Sequence, residues 1–412
     1  MSFHILKIML VSRIFLLTIL VFYISNSSYL IISQTLLTAK WGLMLLLLFY
    51  FFLKKEVKNE IEYELPNIIY YIFFFIFIQA GAVTYLSNVT GNGIFKLVGF
   101  GVVIFIASKL SNHFMREGNR NNYYKVMLIV SQLVVYSSVI FYVLGLNLGR
   151  VGEGGGRFSG WVDNANTLAL MFIPLFPFIL LASFRSRKLS VGSPRVILVL
   201  MIFIIILTGT RSVAIGITVA TIVMLFFHKG STAKAVVLIF LSLLIIYMLG
   251  LELQDVLSQF KSFKRDENLL LSGREEVWGL AIYLIQQNPY LGFGFDTESF
   301  LIEQYSHMLN NHQGATFHSS YLSYIVHLGF IGAIPLLFFA LLLFVSIFKI
   351  KNDSNDPQIM DIKYISASIV LSSLVHAIFE TWLFSPGNLA MLLFWLAAFN
   401  LIAVKKKYER HL

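Results

Sequence analysis

The stretch "ANTLALMFIPLFPFILLASF", Ala165 to Phe184, contains twenty residues and no charged side chain. A helix that crosses the hydrocarbon core of a bilayer needs about twenty consecutive, mostly apolar residues. Similar runs occupy most of the 412-residue chain, which is 58% hydrophobic and has a mean hydropathy of +0.79. Only 13% of its residues are charged, whereas a soluble domain carries roughly 25%. The sequence therefore predicts an all-α, polytopic membrane bundle.

About twelve apolar runs are candidates for membrane-spanning helices, and we treat residues 1–412 as a single membrane domain. The seventh and eighth are short and flank the polar "TGTRS", so they form either two brief helices or one interrupted helix. No small-residue cleavage site follows the first run, so we expect no signal peptide. The approximate ranges are 8–25, 35–53, 66–87, 94–110, 126–147, 165–184, 196–208, 212–227, 235–251, 321–347, 364–383 and 388–404.

Basic residues occupy every second loop between these runs. Lysine and arginine are enriched in the cytoplasmic loops of membrane proteins, so we expect both chain termini in the cytoplasm. We attribute the net charge of +10 to this pattern and not to nucleic-acid binding. The basic residues are Lys54, Lys55 and Lys58; Lys109, Arg116, Arg120 and Lys125; Arg185, Arg187, Lys188 and Arg195; Lys229 and Lys234; Lys349, Lys351 and Lys363; and Lys405, Lys406, Lys407 and Arg410.

The longest segment between spans, residues 252–320, is predicted to be extracytoplasmic and helical. Its first part, "LQDVLSQFKSF", has the periodicity of an interfacial amphipathic helix. In "SGREEVWGLAIYLIQQ", Ser272 is followed three residues later by Glu275, which is the spacing of a capping box. We expect "NPYLGFGF" to form a turn where bulky residues do not fit, and Asp296 to cap a further helix.

Four polar residues stand at the predicted outer boundary of the membrane: Arg157, Arg211, Arg274 and His318. Each guanidinium is permanently charged and can bind phosphate oxygens through two parallel hydrogen bonds, so together the arginines suit a pyrophosphate ligand. His318 is a candidate general base, and His312 is a rival for that role. The alternatives are that the arginines extend to lipid headgroups and that the histidine is structural.

The chain lacks an Asp-x-Asp motif, which favours a donor other than a metal-bound nucleotide sugar. The acidic residues of the outer loops have no recognisable metal-ligand spacing, so we predict no metal site and no cofactor. Arginines acting on a lipid pyrophosphate would stabilise the charge that accumulates on the leaving group. Direct attack by an acceptor hydroxyl would invert the anomeric carbon.

Four motifs in this order resemble the bacterial O-antigen ligase and O-antigen polymerase superfamily of membrane glycosyltransferases. The resemblance covers residues 150–345, the ligase- or polymerase-like core region. Two departures are "DNAN", which lacks a proline that many members have, and the serine after His318, where ligases often have asparagine. The motifs are "GRFSGWVDNANTLAL", "TGTRSVAIGI", "SGREEVWGLAIYLIQQNPYLGFGF" and "HSSYLSYIVHLGFIG".

The resemblance implies a lipid-dependent glycosyltransferase fold in the bacterial cytoplasmic (inner) membrane. Its substrates would be an oligosaccharide linked to undecaprenyl pyrophosphate and an acceptor glycan at the outer face, and the transfer would be metal-independent. The family's arginines carry over to Arg157, Arg211 and Arg274, and its histidine to His318. We favour an O-antigen- or capsule-type polymerase; the alternative is a ligase that attaches glycan to the lipopolysaccharide core. Membrane lipids and a chain-length regulator are candidate partners.

A transporter, such as a lipid-linked sugar flippase, is the other class considered. Its support is His327, His376 and Glu380, which lie in or near predicted spans. His376 and Glu380 are four residues apart, so on one helix face they can relay a proton; alternatively, they form hydrogen bonds within the bundle. The sequence shows no repeat symmetry and its arginines cluster on one side, and both features favour an enzyme.

Overall fold

The structure is a computed structural model that describes residues 3–27, 30–53, 65–87, 91–148, 157–186, 190, 192–227, 274–309, 316–349 and 356–410. Within these ranges the chain is helical and contains no β-strand, which confirms the predicted all-α class. The helices are α1 (Phe3–Ser25), α2 (Leu30–Leu53), α3 (Asn67–Ser87), α4 (Gly91–Met115), α5 (Arg120–Val143), α6 (Ala165–Arg185), α7 (Pro194–Thr208), α8 (Arg211–Phe227), α9 (Arg274–Gln287), α10 (Glu298–Gln304), α11 (Ser320–Lys349), α12 (Pro357–His376) and α13 (Leu389–Arg410).

Seven of these helices, α2 to α6 together with α11 and α12, are long and apolar enough to cross a membrane. Four further helices, α1, α7, α8 and α13, contain shorter apolar stretches of 10–17 residues. The protein is therefore a multi-pass membrane protein, as predicted. The predicted span 235–251, the stretch "LQDVLSQFKSF" and the proposed cap Ser272 lie outside the described residues.

The predicted range 364–383 is wrong, because α12 runs from Pro357 to His376. Hydropathy placed the helix beyond Asp361 and Lys363, but the fold includes both residues in its first turns. Asp361 accepts a hydrogen bond of 2.7 Å from Nη1 of Arg185, and the Lys363 side chain is buried. The shift leaves Glu380 in the turn that follows α12.

The chain divides into two compact units. The first comprises Met1–Lys55, His113–Arg265 and Asn355–Val375, and the second comprises Glu56–Asn112, Asp266–Ser354 and His376–Leu412. In the first unit α6 packs against α5, α7 and α8, and it is the most buried of the long apolar helices. Two prolines inside α6 are tolerated because neighbouring helices surround it.

In the second unit α11 packs against α3, α9 and α13. The rings of Phe73, Phe100 and Phe339 pack against Trp395, which is almost fully buried. A separate apolar cluster beneath α9 includes Phe317, the residue before the predicted base. This packing fixes the start of α9 and the start of α11 within one unit.

The predicted turn "NPYLGFGF", residues 288–295, is confirmed, and it closes onto a break in α11. At Gly329 the backbone is left-handed, with φ of 60°. Phe330 N–H donates to the carbonyl of Pro289 at 2.8 Å, so the break is hydrogen-bonded to the turn. A Cβ at Gly329 would lie 2.2 Å from the carbonyl oxygen of Tyr290, and one at Gly292 would lie 2.6 Å from backbone atoms of α11. Both positions therefore require glycine.

The third predicted helix of the outer segment begins later than expected. α10 starts at Glu298 and its N-cap position is Thr297, so the assignment of Asp296 as the cap is wrong. Asp296 instead adopts a left-handed backbone, with φ of 63°, and pairs with Lys96 at 2.7 Å. A residue in this conformation precedes the cap position and turns the chain into the helix.

Candidate functional site

The second unit brings together two of the four predicted site residues. Arg274 is the first residue of α9, and His318 lies two residues before α11. Both contact the carboxylate of Glu380: Nη2 of Arg274 donates to Oε1 at 2.8 Å, and Nδ1 of His318 lies 3.3 Å from Oε2. We call this group the Arg274–Glu380–His318 cluster. All three side chains are partly exposed, between 16% and 25%.

The charge of Glu380 determines which nitrogen of His318 carries a proton. Burial raises the pKa of Glu380, but the hydrogen bond with His318 and the charge of Arg274 outweigh it and bring the pKa below its usual value. The carboxylate is therefore ionised at neutral pH, and an ionised carboxylate only accepts hydrogen bonds. Nδ1 of neutral His318 must carry the proton, which leaves the lone pair on Nε2.

His318 has a left-handed backbone, with φ of 50°. Few residues other than glycine adopt this conformation, and it persists only where the surroundings enforce it. Here both neighbouring amides are held by side chains: Phe317 N–H by Oε1 of Glu298, and Ser319 N–H by Oγ1 of Thr381 at 3.1 Å. The unusual conformation is thus imposed from two sides.

The turn that carries Glu380 is tied to the start of α11 by Ser320. The Ser320 hydroxyl donates to the carbonyl of Glu380 at 2.7 Å and accepts from the amide of Trp382 at 3.1 Å. Ser320 N–H also donates to the carbonyl of Ala377 at 2.9 Å. These bonds fix the carboxylate relative to the imidazole, which is what an orienting partner of a base requires.

The first unit contains Arg157, which bridges the break between α7 and α8. Its Nε donates to the carbonyl of Thr208 at 2.6 Å, and its Nη2 donates to Oδ1 of Asn166 at 2.6 Å and to Oγ1 of Thr210 at 2.7 Å. Thr208 ends α7 and Gly209 follows with φ of 60°. The guanidinium therefore satisfies a carbonyl at the helix C-terminus, where positive charge is favourable.

Arg211, the first residue of α8, differs from Arg157 in its hydrogen bonds. Its side chain is exposed, and it forms no hydrogen bond or ion pair with any residue that the structure describes. The contacts that brace the break are made by Arg157.

Two other histidines that the sequence singled out, His312 and His376, are not part of this cluster as the structure describes it. His312, the rival base, lies outside the described residues. Buried His376 ends α12, and its Nδ1 accepts from the indole of Trp382 at 2.9 Å. Glu380 lies in the turn beyond, so the expectation that these two residues share one helix face is wrong. The hydrogen bond of His376 agrees with the structural alternative.

Sequence reasoning missed Glu380 as the partner of Arg274 and His318, and it missed Glu298 and Thr381 altogether. Glu380 lies 106 residues from Arg274 and 62 residues from His318 along the chain. No local spacing connects such positions. The one signal was an acidic residue at the end of an apolar run. Among the described residues, no group of three or more His, Asp or Glu side chains could hold a metal ion.

Comparison with known proteins agrees with the motif order. Residues 196–337 match the family model described as O-Antigen ligase. The matched range contains Arg211, Arg274 and His318, whereas Arg157 and Glu380 fall outside it. No curated protein matches the chain. The motifs, the membrane-spanning helices and this match together support a relationship to the O-antigen ligase and O-antigen polymerase superfamily.

Proposed function

We propose that this protein transfers a glycan from undecaprenyl pyrophosphate to a sugar hydroxyl at the outer face of the cytoplasmic membrane, as a repeat-unit polymerase. The Arg274–Glu380–His318 cluster carries the proposal. It combines a cation for a phosphate oxygen with a histidine whose lone pair is on Nε2. Similarity to the O-antigen ligase family model supports a glycosyltransferase-type activity, and we assign its acid–base chemistry to the cluster.

In the proposed reaction, Nε2 of His318 takes the proton of the acceptor hydroxyl. The oxygen attacks the anomeric carbon from the side opposite the pyrophosphate, and the carbon–oxygen bond to the pyrophosphate breaks with its electron pair on the leaving group. The anomeric carbon is inverted. Glu380 stabilises the imidazolium that forms, and a positioned base of this kind contributes on the order of 10²–10⁴-fold.

The arginines have different parts in this proposal. Arg211 and Arg274 stabilise the charge that develops on the pyrophosphate, because preorganised cations act most strongly where water is partly excluded. Arg157 was expected to bind pyrophosphate as well. Its three bonds to Thr208, Asn166 and Thr210 favour an indirect role, in which it holds the backbone next to Arg211. Since the arginines supply the positive charge, we propose a transfer that needs no metal ion.

The test is a reconstituted assay with lipid-linked repeat units extracted from the native bacterium. Two acceptors are compared, a second lipid-linked repeat unit and lipopolysaccharide core, with and without EDTA. A ladder of extended lipid-linked glycans formed in EDTA supports a polymerase. Transfer to the core alone identifies a ligase, and transport of the lipid across the vesicle without a new glycosidic bond refutes both.

We also propose, on the basis of the alternating basic loops, that residues 156–163 and 252–320 are extracytoplasmic and that residues 185–195 are cytoplasmic. The chain contains no cysteine, so single cysteines can report this directly. An impermeant thiol reagent should label Glu303→Cys in intact spheroplasts and should label Arg185→Cys only after lysis. The reverse pattern contradicts both the orientation and an outer active site.

A further inference from the structure

Glu298 joins three parts of the second unit around the backbone of His318. It begins α10, and its side chain is 6% exposed. Its Oε1 accepts from the amide of Phe317, the residue before His318, and from the hydroxyl of Ser323 at 3.0 Å, which lies in the first turn of α11. A buried carboxylate with two such donors is a fixed structural element and not a solvated surface charge.

The network continues to the other side of His318. The hydroxyl of Ser323 lies 3.4 Å from Oγ1 of Thr381, and that oxygen accepts from the amide of Ser319 at 3.1 Å. One hydrogen-bonded path therefore runs from the amide before His318 to the amide after it. Thr381 also adjoins Glu380 in sequence, so the same path connects the base to its carboxylate partner.

We infer that Glu298 is a positioning residue for His318: its buried carboxylate holds the amide of Phe317 and the hydroxyl of Ser323, and thereby enforces the left-handed backbone that sets the imidazole against Glu380. This inference rests on the proposed function, in which His318 is the base. Glu298 contacts neither reacting group, so its removal should slow the chemical step and leave the binding of the donor unchanged.

The ionisation of Glu298 supplies a readout of its own. Burial raises the pKa of Glu298 to about 7. The hydrogen bonds from Phe317 and Ser323 and the positive charge of Lys96 lower this pKa, whereas the negative charge of Asp296 raises it further. Above that pH the group is a carboxylate and accepts the Phe317 amide more strongly than a neutral acid does. Below it, Glu298 resembles a glutamine, which is also a neutral acceptor.

The experiment compares full-length wild type, Glu298→Ala, Glu298→Gln and His318→Ala in proteoliposomes with extracted lipid-linked repeat units. The matched control is Glu303→Gln, an exposed position on the same helix. We expect Glu298→Ala to lower kcat on the order of 10²-fold with unchanged KM for the donor, because a small misplacement of a base has effects of this size. Glu298→Gln should lower kcat about three- to tenfold at pH 8, since it keeps a neutral acceptor.

The ratio of wild-type to Glu298→Gln activity should fall toward one as the pH drops below about 7, because protonated Glu298 and glutamine are both neutral acceptors. If Glu298→Ala proves unstable, two tests remain: the pH dependence of the activity ratio and the variant Thr381→Val. Thr381→Val removes the acceptor for the amide of Ser319, so it should lower kcat and leave KM for the donor unchanged. A normal kcat in Glu298→Ala, or a ratio of wild-type to Glu298→Gln activity that does not change with pH, overturns the inference. If His318→Ala is inactive in the same experiment, the proposed function still holds. Full activity of His318→Ala overturns the proposed function itself.

Discussion

The two arginine-bearing regions of this protein use the same side chain in opposite ways. In the first unit, Arg157 donates to a helix-terminal carbonyl and two side-chain oxygens, while Arg211 is exposed. In the second unit, Arg274 is paired with Glu380, which also holds His318. One region therefore contains a bracing arginine and an exposed arginine, and the other contains an arginine coupled to a histidine through a shared carboxylate.

The difference shows that a motif arginine is not by itself a ligand. Arg157 and Arg274 both stand in short polar stretches beside apolar runs, and the sequence gives no reason to treat them differently. Their hydrogen-bond partners in the structure distinguish the two arginines. A guanidinium that satisfies a helix end is expected to matter for stability, and one that shares a carboxylate with a histidine is expected to matter for catalysis.

Glu380→Gln should produce the largest effect among the variants that probe this contrast. Glutamine keeps the shape of the side chain but loses the charge that keeps the proton on Nδ1 of His318, and its amide can donate to that nitrogen instead. We expect kcat to fall on the order of 10²-fold. Steady-state kinetics in proteoliposomes measures this, with Glu303→Gln as the control. Wild-type kcat in Glu380→Gln would show that the carboxylate does not orient the base.

Most of the fold was predictable because length and apolar character determine where a chain crosses a membrane. The exception, α12, shows the limit: Asp361 is acceptable inside the helix because Arg185 pairs with it, and that pairing spans 176 residues. The candidate site was only partly predictable, because some of its contacts also join residues that are far apart in the sequence. Motifs identify Arg274 and His318, but Glu380 and Glu298 act through contacts between distant segments, which local spacing does not encode.

Arg211→Lys and Arg274→Lys should each weaken the donor interaction. Lysine keeps the charge but loses the planar fork that binds phosphate oxygens in pairs. We expect kcat/KM for the lipid-linked donor to fall about tenfold for each variant, with thermal stability near that of the wild type. Donor titration and thermal unfolding of the purified proteins measure the two quantities. Full activity of both lysine variants would favour a role at lipid headgroups.

Arg157→Lys should show the reverse pattern. Lysine cannot reproduce the three bonds to Thr208, Asn166 and Thr210, and hydrogen bonds from a charged donor contribute about 1.5–3 kcal/mol each. We expect a loss on the order of 2 kcal/mol in unfolding free energy and a lower protein level, followed through thermal unfolding in detergent. If Arg157→Lys is as stable as the wild type and fails only in donor binding, Arg157 is a ligand and the contrast between the two regions disappears.

The smallest effect is a pH dependence of stability that arises from Glu298. Burial raises its folded-state pKa to about 7, so between its usual pKa near 4.5 and about 7 the folded protein binds a proton that the unfolded chain has lost. Stability must then decrease as the pH rises through this window. The melting temperature of wild type relative to Glu298→Gln should fall between these pH values and level off above pH 7. An unchanged difference across the window would show that Glu298 is not protonated in the folded state.

The most direct test of the account is the rate of glycan transfer by His318→Ala in metal-free proteoliposomes. With lipid-linked repeat units and EDTA, the wild type should form a new glycosidic bond and release undecaprenyl pyrophosphate. His318→Ala should bind the donor as tightly but lose on the order of 10²–10⁴-fold in kcat, while His312→Ala should lose much less. Full activity of His318→Ala, or abolition by EDTA with rescue by Mg²⁺ or Mn²⁺, would contradict a metal-free transfer with His318 as the base.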